Sequence, residues 1–142
     1  MFQVALFEPE IPPNTGNIIR LCANTGSTLH LIEPLGYALD DRSLKRAGLD
    51  YHEYAPLRVH VDFRAFEKVI HRSRMFAFST HASNSLYDVR FTRGDVFLFG
   101  PETRGLPATI TESLESRNLL RLPMTPASRS LNLSNAVAIV VY

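Results

Sequence analysis

LNLSNAVAIVVY, residues Leu131 to Tyr142, is the one stretch of this chain where hydrophobic periodicity is silent. Its tail AVAIVVY is apolar on every side and rich in β-branched residues, so a central strand and a fully buried helix both fit it. The β-branched side chains tip the residue-level reading toward strand. No Gly, Pro or polar tail follows of the kind that closes a helix. As a strand the segment would extend a sheet, and as a helix it would cover one.

Upstream, short apolar runs alternate with helical patterns. Phe2 to Phe7 (FQVALF) predicts a first strand, followed by a stiff loop over Glu8 to Thr15 that contains Pro9, Pro12 and Pro13. Asn17 to Thr25 predicts a helix with Ile18, Ile19, Leu21 and Cys22 on its apolar face, and Gly26 stands where a left-handed C-terminal residue belongs. Thr28 to Ile32, Met75 to Ser79, Asp95 to Phe99 and Leu119 to Leu122 predict further strands. Helices are predicted over Asp40 to Ala47, from an Asp62 cap through Phe63, Phe66, Val69 and Ile70, and over Ala108 to Leu114. This βαβ rhythm argues for an α/β domain, a mostly parallel sheet with helices on both faces. No linker, repeat or low-complexity segment divides residues 1 to 142, so a single domain is expected.

A chain of 142 residues buries roughly two thirds of its unfolded surface and needs no disulfide or metal staple. The single Cys22 cannot form an internal bridge, and no charged and apolar leader opens the chain, so a cytoplasmic setting is expected. The longest apolar run, Ala136 to Tyr142, falls far short of the roughly 20 residues of a membrane helix. The net charge of +1 argues against a histone-like polyanion binder but averages over the surface. Two asymmetries survive that averaging. Thirteen of the fifteen cations are Arg, and residues 1 to 70 sum to 7 − 9 = −2 while residues 71 to 142 sum to 8 − 5 = +3. Arginine suits bidentate phosphate recognition.

Seven of the nine prolines fall in three loops: Pro9, Pro12 and Pro13; Pro101 and Pro107; Pro123 and Pro126. In an open α/β sheet, ligands bind beyond the carboxyl ends of the strands, where these loops should gather. They are dense in hydrogen-bonding groups: Glu8, Glu10, Asn14 and Asn17; Glu102, Thr103 and Arg104; Thr125, Ser128, Arg129, Ser130 and Asn132. The five histidines are scattered and there is no second Cys, so no metal spacing exists. The nucleophile elbow, the P-loop and G-x-G-x-x-G are all absent. What remains is a site of amides, hydroxyls and guanidinium groups, better suited to positioning two substrates than to hydrolysis.

Each feature also has a bland reading. Asn17, Arg20 and Asn24 form a polar helix stripe that an ordinary solvated face would match. Gly100 and Gly105 fit simple turn chemistry, and Glu102 with Arg104 fits a surface ion pair. Cys22 and His30 read as core residues. Arg42, Lys45 and Arg46 suit either a solvated helix face or a phosphate backbone.

Read with their flanks, EPEIPPNTGNIIRLCANTG (Glu8 to Gly26), FGPETRGLP (Phe99 to Pro107) and LPMTPASRSLNLSNAVAIVVY (Leu122 to Tyr142) closely resemble the three motifs of the SPOUT superfamily of RNA methyltransferases. The resemblance is nearest to the TrmL/YibK family of tRNA wobble 2′-O-methyltransferases and takes in Leu29 to Pro34 and Arg46 to Glu53. It implies an α/β fold whose C-terminal part is a deep trefoil knot, against the general rule that chains are unknotted. It also implies that the tail is the helix closing the knot, running on past Tyr142, which replaces the strand reading.

By position, the resemblance implies S-adenosylmethionine bound at Phe78, Gly100, Glu102, Leu122, Met124, Ser130 and Leu131, with no metal. It implies Arg20 as the central catalytic residue, with Asn14, Asn17 and Glu8 shaping the acceptor pocket and Tyr142 near the cofactor or a dimer contact. A guanidinium keeps its proton and is a poor base, so Arg20 is expected to hold a phosphate that itself helps remove the proton. Arg42, Lys45, Arg46, Arg104 and Arg129 are the implied RNA contacts across a homodimer, and no membrane is involved. The implied activity is 2′-O-methylation of the wobble cytidine or modified uridine of leucine tRNAs. The same reaction at another tRNA or rRNA position, or a catalytically silent knotted RNA-binding module, is the alternative.

Overall fold

The computed structural model describes residues 1–39 and 56–142. The helix expected over Asp40 to Ala47, and with it Arg42, Lys45 and Arg46, lies outside the described residues. Seven strands, β1 (Gln3–Phe7), β2 (Thr28–Ile32), β3 (Leu57–His60), β4 (Met75–Phe78), β5 (Asn84–Ser85), β6 (Val96–Phe99) and β7 (Leu119–Arg121), form one sheet in the order β3-β2-β1-β6-β4-β7-β5. All of its pairings are parallel. The described helices are α1 (Pro12–Thr25), α2 (Phe63–Glu67), α3 (Ala108–Thr111) and α4 (Leu133–Val141).

Strand alternation sends successive side chains to opposite faces, and each face carries its own core. Val4, Leu6, Phe76, Phe78, Phe97 and Phe99 pack with Ile18, Ile19 and Cys22 of α1 and with Val137 and Val140 of α4. Ala5, Met75, Ala77, Val96 and Leu98 pack on the other side with Phe66 of α2 and Ile110 of α3. Central strands β4 and β6 are buried throughout, which is why MFAF and VFLF are continuous apolar runs.

Three expectations need correction. The loop expected over Glu8 to Thr15 ends early, because α1 begins at Pro12 rather than Asn17. Proline is tolerated in a first helical turn, where N–H groups have no intrahelical partner to lose. Strands β3 and β5 were not anticipated: β3 is half exposed, and β5 is two residues long. The helices predicted to reach Ile70 and Leu114 stop at Glu67 and Thr111. The tail AVAIVVY is helical except for Tyr142, as the family resemblance implies and against its β-branched composition. Asn132 starts it by accepting from the N–H groups of Ser134 at 2.9 Å and Asn135 at 3.3 Å. Packing on α1 then buries Val137 completely, and burial outweighs the few tenths of a kcal/mol by which valine disfavours a helix.

His30 on β2 is fully buried and shares its ring nitrogens with His60 Nε2 at 2.9 Å and Gln3 Oε1 at 3.0 Å. Burial, helped by repulsion from His60 and Arg58, lowers its pKa from 6.5 to about 4. Between those values the unfolded chain binds a proton that the folded chain does not, so stability falls as pH drops from 6.5 toward about 4. His60 is shifted in the same direction, by burial first and then by Arg58. Urea midpoints at neutral pH and within that window should therefore differ. The difference should shrink in His30→Gln, and an unchanged slope in that variant would remove His30 as its cause.

Candidate active site

At the carboxyl ends of β4, β6 and β7, loops around residues 78–81, 100–106 and 122–131 enclose a cavity of about 330 Å³. Its size falls in the range of small-molecule sites. Phe78, Gly100, Glu102, Leu122, Met124, Ser130 and Leu131 all line it. So do Ser79, Thr80, His81, Thr103 and Arg104, of which the first three carry no signal in the sequence beyond following a strand. The rings of Phe78 and Phe99 stack at 4.9 Å, 9° from parallel, and stiffen the strand ends from which two of the loops depart.

The loop after β6 is closed on itself. Gly105 takes φ +69°, its N–H donates to the Pro101 carbonyl at 3.0 Å, and Gly100 lies so near the Gly105–Leu106 backbone that no Cβ fits there. Glu102, on this loop, turns its carboxylate toward the first loop. It accepts from the N–H of Glu10 at 2.8 Å, the N–H of Ile11 at 3.1 Å and Asn14 Nδ2 at 3.5 Å. Ile11 is the N-cap of α1 and has no side-chain acceptor to offer, so a carboxylate from another loop stands at this helix N-terminus. The surface pair that the bland reading allowed between Glu102 and Arg104 is not what forms. Arg104 instead faces Glu8 at 3.7 Å.

The connection continues into the third loop. Asn14, 5% exposed, accepts at Oδ1 from Asn132 Nδ2 at 3.0 Å, while Asn132 caps α4 with its other amide atom. A chain of hydrogen bonds thus runs Glu102, Asn14, Asn132, from the loop after β6 through the first turn of α1 to the cap of α4. In the sequence Asn132 stands out only as one of the hydrogen-bonding groups of the third loop, although its place just before an apolar helix is an N-cap signal. Asn132→Ala removes both the cap and the bond to Asn14, and should cost about 1–3 kcal/mol in urea unfolding. A loss under a few tenths would show the chain to be dispensable.

Glu10 accepts in return from Thr103, at 3.2 Å from its N–H and 2.7 Å from its hydroxyl. Those two bonds, with the charge of Arg104 adding, hold the Glu10 carboxyl below the usual carboxylate range. Behind the first loop, the Tyr37 hydroxyl donates to Thr15 Oγ1. Burial pushes the Tyr37 phenol up to about 12, and the nearby Glu102 charge pushes the same way.

Not every implied site residue meets the cavity. Asn17 and Arg20 lie exposed on α1, opposite the buried Ile18, Ile19 and Cys22, so the polar stripe of the sequence is real. Glu8 sits at φ +47° where β1 turns into the first loop, a conformation uncommon outside glycine. Arg129 is exposed on the third loop. Tyr142 is 84% exposed and outside the cavity lining, so it makes no wall of the site. Among the described residues, no three His, Cys, Asp or Glu side chains gather into a metal site, and no helix is long and apolar enough to cross a membrane.

The family model for the SpoU rRNA methylase family matches residues 1–142. The chain belongs to the SpoU rRNA methylase family. A Burkholderia ambifaria relative, the tRNA (cytidine(34)-2′-O)-methyltransferase, is 60% identical over 144 residues, covering 100% of this chain and 92% of the relative. The Escherichia coli protein of the same name is 56% identical over 142 residues, covering 100% of this chain and 90% of that one. A solved structure described as giving insight into 2-OH methylation of the cytidine or uridine at position 34 of tRNA superimposes with a TM-score of 0.91 at 47% identity, covering 100% and 92% of the two chains. The SpoU methyltransferase AviRb of Streptomyces viridochromogenes, solved with AdoMet, shares the fold at 23% identity and a TM-score of 0.81, covering 99% of this chain and 55% of its own. SpoU methylases thus match this chain along its whole length, parallel sheet and three loops together.

Proposed function

We propose that this SpoU methylase transfers a methyl group from S-adenosylmethionine to the 2′-hydroxyl of the wobble nucleotide of tRNA in the cytoplasm, with leucine tRNAs as its substrates. The observation that carries this reading is the cavity itself: all seven positions implied for the cofactor converge on one space of about 330 Å³. The chemistry of its walls fits the group. Leu122 and Met124 offer apolar surface to a purine, and the backbones of the three loops offer N–H and C=O groups. Among the described lining residues Glu102 carries the one carboxylate, and it accepts from two backbone N–H groups of the first loop. When bound, S-adenosylmethionine supplies the methyl group.

The protein's own residues have the acceptor to position. Arg20, exposed on α1, holds the phosphate beside the target ribose through its planar fork, and that phosphate accepts the hydroxyl proton. Asn17, one turn earlier on the same helix, and Glu8 border the acceptor pocket. Asn14 keeps α1 in register with the third loop. Arg104 and Arg129 are exposed cations for further phosphates, the arrangement that makes binding salt-dependent.

Residues 1–142 act as one methyltransferase domain in this reading, and the C-terminal segment is threaded as a trefoil knot. In support, β7 lies between β4 and β5, so residues 122–132 must pass the loop after β6 to carry α4 onto α1. The protein works as a homodimer, supported by Ile139 on α4 and Tyr142 just beyond its end, large side chains that are 45% and 84% exposed.

The test is incubation with total tRNA and S-adenosylmethionine, followed by mass-spectrometric mapping of 2′-O-methyl ribose. Methylation at position 34 of leucine tRNAs is expected. Methylation elsewhere would support the alternative substrate, and cofactor binding without methylation of any RNA would overturn the enzyme reading.

A further inference from the structure

We propose that Glu10 and Thr103 are positioning residues for the transfer: their clasp locks the tip of the cavity loop to the foot of α1, and so sets where Asn17 and Arg20 stand relative to the cavity. This rests on the function proposed above, and adds to it a pair of residues that acts by holding two loops together, with Thr103 on the cavity lining and Glu10 outside it.

The geometry is reciprocal. Glu102 of the cavity loop accepts from the backbone N–H of Glu10 at 2.8 Å, and Glu10 of the first loop accepts from the backbone N–H of Thr103 at 3.2 Å. Each loop therefore offers a carboxylate to the other's amide. The Thr103 hydroxyl adds 2.7 Å and 3.0 Å contacts to the two Glu10 oxygens, so the hydroxyl is centred on the carboxylate. The Glu10 backbone is held independently on its other side. Gly36 sits so close that a Cβ there would lie 2.9 Å from Glu10 Cα, and the Gly36 N–H donates to the Pro9 carbonyl at 2.9 Å.

Both partners are stiffly joined to what they position. Glu10 is two residues from Pro12, where α1 begins, and successive prolines leave that junction few conformations. Thr103 stands within the closed loop whose Gly105 N–H returns to Pro101. A displacement at the clasp must then appear as a displacement of α1 against the cavity wall. The pair lies at the surface, where such bonds add little to stability, so its removal should be read in geometry rather than in melting temperature.

Glu10→Ala, Thr103→Val and Thr103→Ser test this. In tRNA methylation, the alanine and valine variants should lose roughly 10- to 100-fold in kcat. The KM for S-adenosylmethionine of Glu10→Ala, whose side chain lies outside the cavity lining, should stay within about twofold, and the Tm of both variants within about 2 °C of the parent. Thr103→Ser, which keeps the hydroxyl, should retain parental kcat, and combining Glu10→Ala with Thr103→Val should cost no more than either alone. In amide hydrogen exchange on the free protein, Glu10→Ala should speed exchange at Thr103. Unchanged kcat in both variants, failure of serine to rescue, or a kcat loss matched by a fall in Tm would overturn the proposal. If the parent protein methylates no tRNA, the proposed function falls; unaltered Thr103 exchange in Glu10→Ala then overturns the clasp without reference to activity.

Discussion

Arg20→Ala should lower kcat for tRNA methylation by at least about 100-fold, the scale set by removing one preorganised charged donor from a reacting centre. Arg20 lies exposed on the polar stripe of α1 and outside the cavity lining, so the loss should spare cofactor affinity and leave Tm within about 2 °C. Arg20→Lys should recover little, because an ammonium cannot grip a phosphate with two parallel N–H groups. Calorimetric titration with S-adenosylmethionine beside single-turnover methylation separates the two effects. If cofactor binding collapses together with transfer, Arg20 supports the fold rather than the acceptor, and the proposed division of labour between helix and cavity fails.

Gly100→Ala should be the most damaging single methyl group added to the cavity. An alanine Cβ would lie 2.3 Å from the Leu106 nitrogen and 2.5 Å from the Gly105 carbonyl carbon, both backbone atoms that cannot swing aside. The loop must open to admit it, and opening moves Glu102 and Thr103 away from the first loop. Overpacking alone costs about 1–3 kcal/mol. Cofactor affinity should fall by at least about tenfold as the wall shifts, since every 1.4 kcal/mol is a factor of ten. Gly26→Ala is the matched control: it has φ +67° and nothing within 4 Å of the added carbon, so it should lose about 1 kcal/mol of stability through backbone strain and leave the cavity intact. Equal effects of the two changes on cofactor binding would show that the closed loop is not what shapes the cavity.

Much of this was legible in the residues. MFAF and VFLF announce buried parallel strands because both their faces must be apolar. Asp62 announces a helix start, and its carboxylate does accept from the Ala65 N–H at 2.7 Å. Two of the three proline-bearing segments do line the cavity, together with the loop after β4 that carries no proline, while the first is tied to them through Glu102 without lining it. The start of α1 misled because two prolines read as loop when taken alone, although the first turn of a helix is where they are cheapest. β3 was missed because LRVH is half exposed and lacks a strong period.

Partnerships between the loops were beyond the sequence. Glu102 and Arg104 look like a pair at their spacing, yet one is spent on amides ninety residues upstream and the other faces Glu8. A carboxylate's acceptor capacity is written in its residue type, whereas its donor is chosen by which backbone the fold brings alongside. The same holds for the tail AVAIVVY: local preference favours a strand, and burial of Val137 and Val140 against α1 makes it a helix. The sequence by itself therefore determined the parallel α/β class and two of the three loops that line the cavity, through short-range periodicity and backbone restriction. Only the tertiary structure decided the helical end, the cavity and the clasps around it, because each depends on contacts between segments far apart along the chain.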